Sequence, residues 1–361
     1  MKLVYISAKE NSKYSGVYRK IKCQIEGLSR AGIETELIEC DEMPRWKKAL
    51  PFGSRSFDWN KIEIADNVDV IYVRYQLCDF QFIRALRKWK KRIPNVHIIL
   101  EIPTYPYLKE LQEMSNALTI FRDQLYSRFL HLYVERMVTY TAHSSIYKVK
   151  TIPMVNGIDV EKVKKKNKKP LENSNNVNVI AVARVNFSHG YDRFLAGLKE
   201  YYESSCKNKN VIFHLVGDGE IVSQLKQYVN ENDLGDYVIF YGYKSGKELD
   251  DLYDMADVGL DVLGGHRKGD LWFGTLKSRE YLSKGLPFIT EYEVPEEVKD
   301  VEKYILKVPS DESAINIETV IKFVESYQKL DYSTDMRTFA KRYCDVSIVM
   351  KPLVEYLKKT E

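Results

Sequence analysis

The chain has 361 residues, 44% hydrophobic and 29% charged; these are the proportions of a folded globular protein, and the length suggests two domains. No apolar run reaches the roughly 18 residues of a membrane-spanning helix. The five cysteines, Cys23, Cys40, Cys78, Cys206 and Cys344, form no CxxC pair, which argues against a zinc cage or a disulfide framework and for reduced thiols.

The formal charge of +4 hides an asymmetry: residues 1–155 hold 25 Lys and Arg against 17 Asp and Glu. Basic runs lie at Arg45–Lys48 and Arg87–Arg92, the second enclosing Trp89. An anionic membrane surface, nucleic acid or merely a solvated helix face would each account for them.

In chain order, the start MKLVYISAKE has no small-residue cleavage site and reads as a buried strand at Leu3–Ser7, not a signal peptide. A helix over Val17–Arg30 follows, with Ile21, Ile25 and Leu28 on one face and Gly32 after its end. Strands are expected at Glu34–Ile38, Val68–Arg74, Val96–Ile102 and Lys150–Pro153. Helices are expected over Phe80–Lys91 and, as one long stretch, Ala117–Val138. Residues 161–176 are highly charged, then Asn-rich, with Pro170 inside, and read as a linker. The pattern then restarts, with strands at Val177–Val182, Val211–Val216, Val238–Tyr241, Val258–Val262 and Phe288–Thr290. Helices are expected between them and twice more in Ser333–Lys359. Strands alternating with helices predict two α/β domains with parallel sheets, which bind ligands at the carboxyl ends of their strands.

Several segments could carry chemistry at those ends. Val216-Gly217-Asp218-Gly219-Glu220 joins a strand to a helix, where glycines permit a tight turn or a close ligand. It is not the GxGxxG of dinucleotide binding, and no GxxxxGK[ST] occurs. In Gly264–Pro287, a basic loop with His266, Arg267 and Lys268 precedes a helix whose start carries Gly274, Thr275, Leu276 and Lys277. Amides, helix dipole and cations, Arg279 among them, suit a diphosphate there. Glu280, one turn on, would repel phosphates and suits sugar hydroxyls, unless it and Arg279 are simply a solvated face. Arg184 ends a strand, and His189-Gly190 follows; His189 could equally cap or pack. In the first half, Gly16 opens a helix beside Tyr14 and Ser15, and the stiff polar loop Glu101-Ile102-Pro103-Thr104-Tyr105-Pro106-Tyr107 ends a buried strand. There is no GxSxG elbow and no HExxH.

Taken in order, Ala183-Arg184, His189-Gly190, Gly217-Asp218-Gly219, Val238–Gly242, Ala256-Asp257-Val258 and Glu280–Phe288 resemble the nucleotide-sugar half of GT-B glycosyltransferases, specifically the large retaining family four. Asn156-Gly157-Ile158-Asp159 looks like the turn closing the N-terminal half of these enzymes. The segments EIPTYPY, HGYDR and LKSREYLSKGLPF look like a capsular or exopolysaccharide branch. Two departures stand out. Trp272 occupies the place of the first glutamate of the family's pair, so either Asp270 substitutes or that carboxylate is lost. His189 stands where the family has lysine, so a fixed charge becomes a titratable one.

The resemblance implies two Rossmann-like domains facing across a cleft. The expected divisions are an acceptor-binding domain over 1–160, a linker over 161–176, a nucleotide-sugar domain over 177–335, and helices over 336–361 crossing back to the first. It implies a cytoplasmic enzyme moving a sugar from a nucleotide diphosphate to a saccharide or lipid-linked saccharide with retention, in bacterial surface polysaccharide synthesis. Such an enzyme could sit peripherally on the membrane's inner face. No nucleic acid, cofactor or metal is expected. Arg184, Lys277 and Glu101 are the expected catalytic residues. Gly16, Arg184, His189, Arg267, Lys268, Gly274, Thr275, Leu276 and Lys277 are expected around the donor diphosphate, and Glu280, Gly217 and Tyr243 around its ribose and base. A non-catalytic partner subunit and a nucleotide-sugar epimerase on the same fold are the alternatives.

Overall fold

The computed structural model describes residues 1–10, 16–44, 54, 56–108, 117–141, 143–167, 175–205, 207–269 and 274–360. The chain divides into two compact units, Met1–Gly157 with Val346–Glu361, and Ile158–Asp345. The chain therefore leaves the first unit at Gly157, not 160, and returns to it at Val346, ten residues after the expected 336. The described part of the segment read as a linker belongs to the second unit: Lys166 N–H donates to the Lys284 carbonyl at 2.9 Å.

Unit 1 is built on a seven-stranded sheet ordered β2-β1-β3-β4-β5-β7-β6. Its strands are β1 (Lys2–Ala8), β2 (Glu34–Cys40), β3 (Val70–Arg74), β4 (His97–Ile102), β5 (Arg136–Thr139), β6 (Ser145–Ile146) and β7 (Val149–Pro153). All neighbours pair in parallel except β6 with β7. The central strands are apolar runs because both faces are covered; all five residues of β3 are buried. The covering helices are α1 (Gly16–Arg30), α2 (Phe80–Arg92) and α3 (Ala117–Ser127). Asp79 caps α2 by accepting from the Phe82 amide at 2.9 Å. The terminal helices α10 (Val346–Val349) and α11 (Lys351–Thr360) bury Val346, Met350, Leu353 and Leu357 with Leu3, Tyr5 and Ile21 in one apolar cluster.

The stretch expected as one helix over Ala117–Val138 is a correction. The helix ends at Ser127, and Arg136–Thr139 is strand β5, with Met137 and Val138 wholly buried in the sheet. A four-residue strand without Gly or Pro punctuation offers little to set it apart from the helix before it.

Unit 2 is a six-stranded, all-parallel sheet ordered β10-β9-β8-β11-β12-β13. This is the Rossmann order, three strands one way and three the other from a central switch point. The strands are β8 (Asn176–Val182), β9 (Asn210–Val216), β10 (Val238–Gly242), β11 (Val258–Leu260), β12 (Phe288–Thr290) and β13 (Ile305–Lys307). The helices are α4 (Tyr191–Glu203), α5 (Val222–Glu231), α6 (Gly246–Met255), α7 (Leu276–Lys284), α8 (Ile317–Tyr327) and α9 (Tyr332–Tyr343). The switch point lies between β8 and β11, so the loops leaving those strands flank the expected crevice.

Candidate active site

The loops at this crevice are tied to one another before any ligand is considered. After β8, the Ala183 and Val185 amides donate to the Val216 and Asp218 carbonyls at 3.0 and 2.8 Å. Gly217 has φ +124°, and a Cβ there would stand 1.9 Å from the Ala183 oxygen, so this glycine serves the close approach of two strand ends. The pairing presents Arg184 outward, exposed and without an ion-pair or hydrogen-bond partner among the described residues. Tyr243, 56% exposed, follows β10 next to Gly242, whose carbonyl accepts from the Gly217 amide at 2.7 Å.

After β11 the chain meets Asp261, fully buried. Its carboxylate accepts from Thr275 Oγ1 at 2.5 Å and Thr290 Oγ1 at 3.4 Å, and burial raises its pKa. Thr275 is also the N-cap of α7, accepting from the Ser278 amide at 3.0 Å. One threonine thereby anchors the helix start to the strand end. Gly274 precedes it at φ +124°, and a Cβ there would lie 2.8 Å from Arg279 Nη2. The opening amides of α7, at Leu276 and Lys277, lie at the helix's positive end.

Lys277 reaches across this start. Its Nζ donates to the Asp261 backbone carbonyl at 2.9 Å and to the Tyr191 hydroxyl at 3.1 Å, leaving the third ammonium proton without a partner among the described residues. Burial lowers its pKa to about 8, against the pull of Asp261. It is a fixed, partly desolvated cation beside a helix N-terminus. Glu280 shares its part-exposed helix face, while Ser278, Arg279, Tyr281 and Leu282 turn inward.

Four expectations are corrected here. His189 is held as a cap rather than as a cation. Its Nδ1 accepts from the Asn186 amide at 3.1 Å in a capping box, and its ring stacks on Tyr191 at 5.3 Å. Burial, then Lys277 and Lys268, push its pKa down to about 2, so the ring is neutral near pH 7. His189→Ala should lower stability by about 0.5–2 kcal/mol through the lost cap. It should leave the pH profile of donor affinity unchanged between about pH 6 and 8.5, measured by calorimetry; a flattened profile would restore the charged role.

Arg267 is also committed elsewhere. It grips Asp192 through both Nη atoms at 2.9 and 2.7 Å, Glu312 at 2.9 and 2.5 Å, and the Phe187 carbonyl at 2.8 Å. All its donors are engaged, so it braces the loop and has none left for a diphosphate. Beside it, His266 holds Glu291 through Nδ1 at 2.7 Å and Glu312 through Nε2 at 2.8 Å. Burial opposes its charge, but these hydrogen bonds outweigh burial and raise its pKa. Arg279 turns inward, with Nη1 on Cys344 Sγ at 3.3 Å. Lys268 alone of this basic loop is exposed and unengaged among the described residues. Asp270 and Trp272 lie outside the described residues, as do Tyr14, Ser15 and the Arg45–Lys48 run.

The fourth correction is in unit 1. Glu101, expected to be catalytic, is fully buried at the end of β4. Arg74 Nη1 donates to its Oε1 at 2.5 Å and Tyr140 at 3.1 Å; Tyr72, Tyr5 and Gln24 donate to Oε2 at 2.8, 3.1 and 3.1 Å. Lys20 Nζ stands 3.4 Å away and over the Tyr140 ring at 3.5 Å. Burial alone would raise its pKa, but Arg74 and Lys20 pull it down to about 2. It ties β1, β3, β4 and α1 together and has no face left for a substrate. Gly16 opens α1 in this same unit.

Sequence reasoning missed the clamp of His266, Arg267, Asp192, Glu291 and Glu312, whose hydrogen-bonded pairs lie 25 to 75 positions apart. Among the described residues, no three or more His, Cys, Asp or Glu side chains gather as a metal-ligand set. No helix of the described residues is long and apolar enough to cross a membrane.

Against this geometry, residues 162–260 match the family model Glycosyl transferases group 1. The match spans β8 to β11 and includes Arg184, His189 and Gly217. No curated protein matches the sequence. Among solved structures, the chain is similar to a sucrose-phosphate synthase from Thermosynechococcus elongatus, at 15% identity, full coverage of both chains and a TM-score of 0.67. It is similar to HepE from Anabaena in complex with UDP-glucose, at 14% identity, 99% and 100% coverage and a TM-score of 0.66. It is similar also to a trehalose-6-phosphate synthase studied for glycosyl transfer with retention, at 13% identity, 99% coverage of each chain and a TM-score of 0.61. Residues 162–260 thus carry a glycosyltransferase group 1 domain, the chain has the GT-B fold, and its enzyme class is glycosyltransferase.

Proposed function

We propose that the chain transfers a sugar from a nucleotide-diphosphate sugar to a saccharide or lipid-linked saccharide, with retention at the anomeric carbon. We place it in bacterial surface polysaccharide synthesis on the cytoplasmic side of the membrane. The observation that carries the donor reading is the Lys277 ammonium, held at the start of α7 by Asp261 and Tyr191 with one proton to spare. The HepE structure holds UDP-glucose, and the trehalose-6-phosphate synthase work concerns retention; both support the reading.

In this mechanism the bond from the anomeric carbon to the diphosphate oxygen breaks as the acceptor oxygen bonds to the same face. The acceptor's proton passes to the departing diphosphate oxygen, so no protein base is required. Charge gathers on the diphosphate, and preorganised donors that need no reorientation lower the barrier. Lys277, exposed Arg184 and Lys268, and the opening amides of α7 are those donors; protein cations hold the diphosphate in this reading, with no metal invoked. Gly217 and Tyr243 border the base side.

Glu280 is assigned to the ribose hydroxyls. Glu280→Ala should weaken donor binding by roughly 1–3 kcal/mol, the cost of stranding polar groups, read by calorimetry; unchanged affinity would remove that role. The whole reading is tested by incubating the protein with UDP-, GDP-, ADP- and dTDP-sugars and saccharide acceptors, and reading the product's anomeric proton by NMR. Retained configuration supports it. Donor binding without transfer identifies a non-catalytic subunit, and donor conversion without acceptor an epimerase.

A further inference from the structure

Helix α3 (Ala117–Ser127) is inside out. Its buried residues are Thr119, Asp123 and Ser127, a polar stripe at four-residue spacing. Asp123 accepts from Tyr75 at 2.6 Å, Tyr107 at 2.7 Å and the Cys78 amide at 2.7 Å. The outward face carries Leu118, Phe121 and Leu125, and the chain just beyond adds Phe129 and Leu132. All five are exposed, Phe121 to 61% and Leu132 to 59%. A helix of a water-soluble domain normally shows the reverse pattern, and an apolar row of this kind marks an interaction surface.

The neighbouring charge identifies the occupant. Phe80, also exposed, opens α2 and lies 6.1 Å from the Tyr126 ring of α3. From Phe80 the outward row of α2 continues through Arg84, Arg87, Lys88 and Lys91, all exposed. Neither α2 nor the stretch 117–134 contains any acidic residue other than buried Asp123. Trp89, enclosed in the basic run, is buried against Trp59 and adds nothing to this surface. A second copy docking face to face would set these cationic rows against themselves, because an isologous contact pairs a patch with its own image. An anionic bilayer takes both features at once: phenylalanine and leucine enter the acyl boundary while arginine and lysine meet the headgroups.

The geometry points to the outward face of α3, continued by Phe129 and Leu132 and flanked by the basic row of α2, as a docking surface for an anionic lipid bilayer. This deepens the membrane-side acceptor in the proposed function, but vesicle binding needs no turnover, so the two stand or fall separately. The test is flotation of the full chain with vesicles of phosphatidylcholine and phosphatidylglycerol in equal amounts, and of phosphatidylcholine alone, at low and high salt.

The wild type should float with the anionic vesicles at low salt, weaken at high salt, and largely fail to float with phosphatidylcholine alone. The triple variant Leu118→Ser, Phe121→Ser, Leu125→Ser should lose at least ten-fold in bound fraction with its circular dichroism and melting unchanged. It should still turn over a soluble acceptor at the wild-type rate. Arg87→Glu with Lys88→Glu should lose binding mainly at low salt. The inference is overturned if the wild type stays with the soluble fraction, or if the triple variant floats as well as the wild type. It is equally overturned if the wild type self-associates without vesicles and the triple variant does not, which would make the face a protein interface.

Discussion

Glu101→Ala should destabilise unit 1 by about 3–5 kcal/mol, the typical result of removing one partner from a buried ion pair. The variant leaves Arg74 and Lys20 buried without their carboxylate, and strips Tyr5, Tyr72 and Gln24 of a shared acceptor. The pH dependence carries the same signature. Glu101 has a pKa lowered to about 2 in the folded chain, against an unfolded value of about 4.3. A depressed carboxylate contributes stability that is complete above the unfolded pKa and is lost as pH falls through the folded one. Melting of the wild type followed from about pH 6 to pH 2 should therefore show a fall that Glu101→Gln lacks. If Glu101→Gln melts like the wild type at pH 7 yet loses turnover, the residue is catalytic after all.

Lys277→Ala should lower kcat/KM by about 10²–10³, the usual cost of removing one preorganised donor to a developing anion, with the fold retained. The lysine also sets a pH dependence. Burial lowers its pKa to about 8, and a bound diphosphate favours the charged form. Donor affinity should thus be level below about pH 7 and fall as pH rises through 8, while Lys277→Arg, always protonated, should flatten that fall. Calorimetry across this range measures it; a level wild-type profile would place Lys277 away from the diphosphate.

The legible parts of the fold are those where one physical signal dominates. Strands β8, β9 and β11 are apolar runs buried on both faces, and Gly217 marks the close turn between them. The charged ends were harder. Arg74 closes β3 and Glu101 is the last residue but one of β4, and the two are register partners in neighbouring parallel strands; the paired charges were a signal for a structural pair that a catalytic reading passed over. His189 was read through the lysine of the resembling family, although Asn186 three residues earlier is a capping residue and a local signal for what the structure shows. The partners of Arg267 were not legible, because Asp192 and Glu312 approach it only when the start of α4 and two loops of unit 2 fold together. Helix α3 was legible as a helix, though not where it ends, and apolar spacing alone does not say which way the stripe faces.

In the function proposed above, unit 2 binds a nucleotide-diphosphate sugar at the start of α7. Thermal unfolding of the wild type with UDP-, GDP-, ADP- and dTDP-sugars, beside Lys277→Ala, measures that binding. A ligand at a hundred times its dissociation constant stabilises the folded state by about 2.7 kcal/mol. One nucleotide class should raise the melting temperature of the wild type, and Lys277→Ala should lose most of the rise at the same concentration. No rise with any of the four, or an equal rise in both proteins, would contradict it.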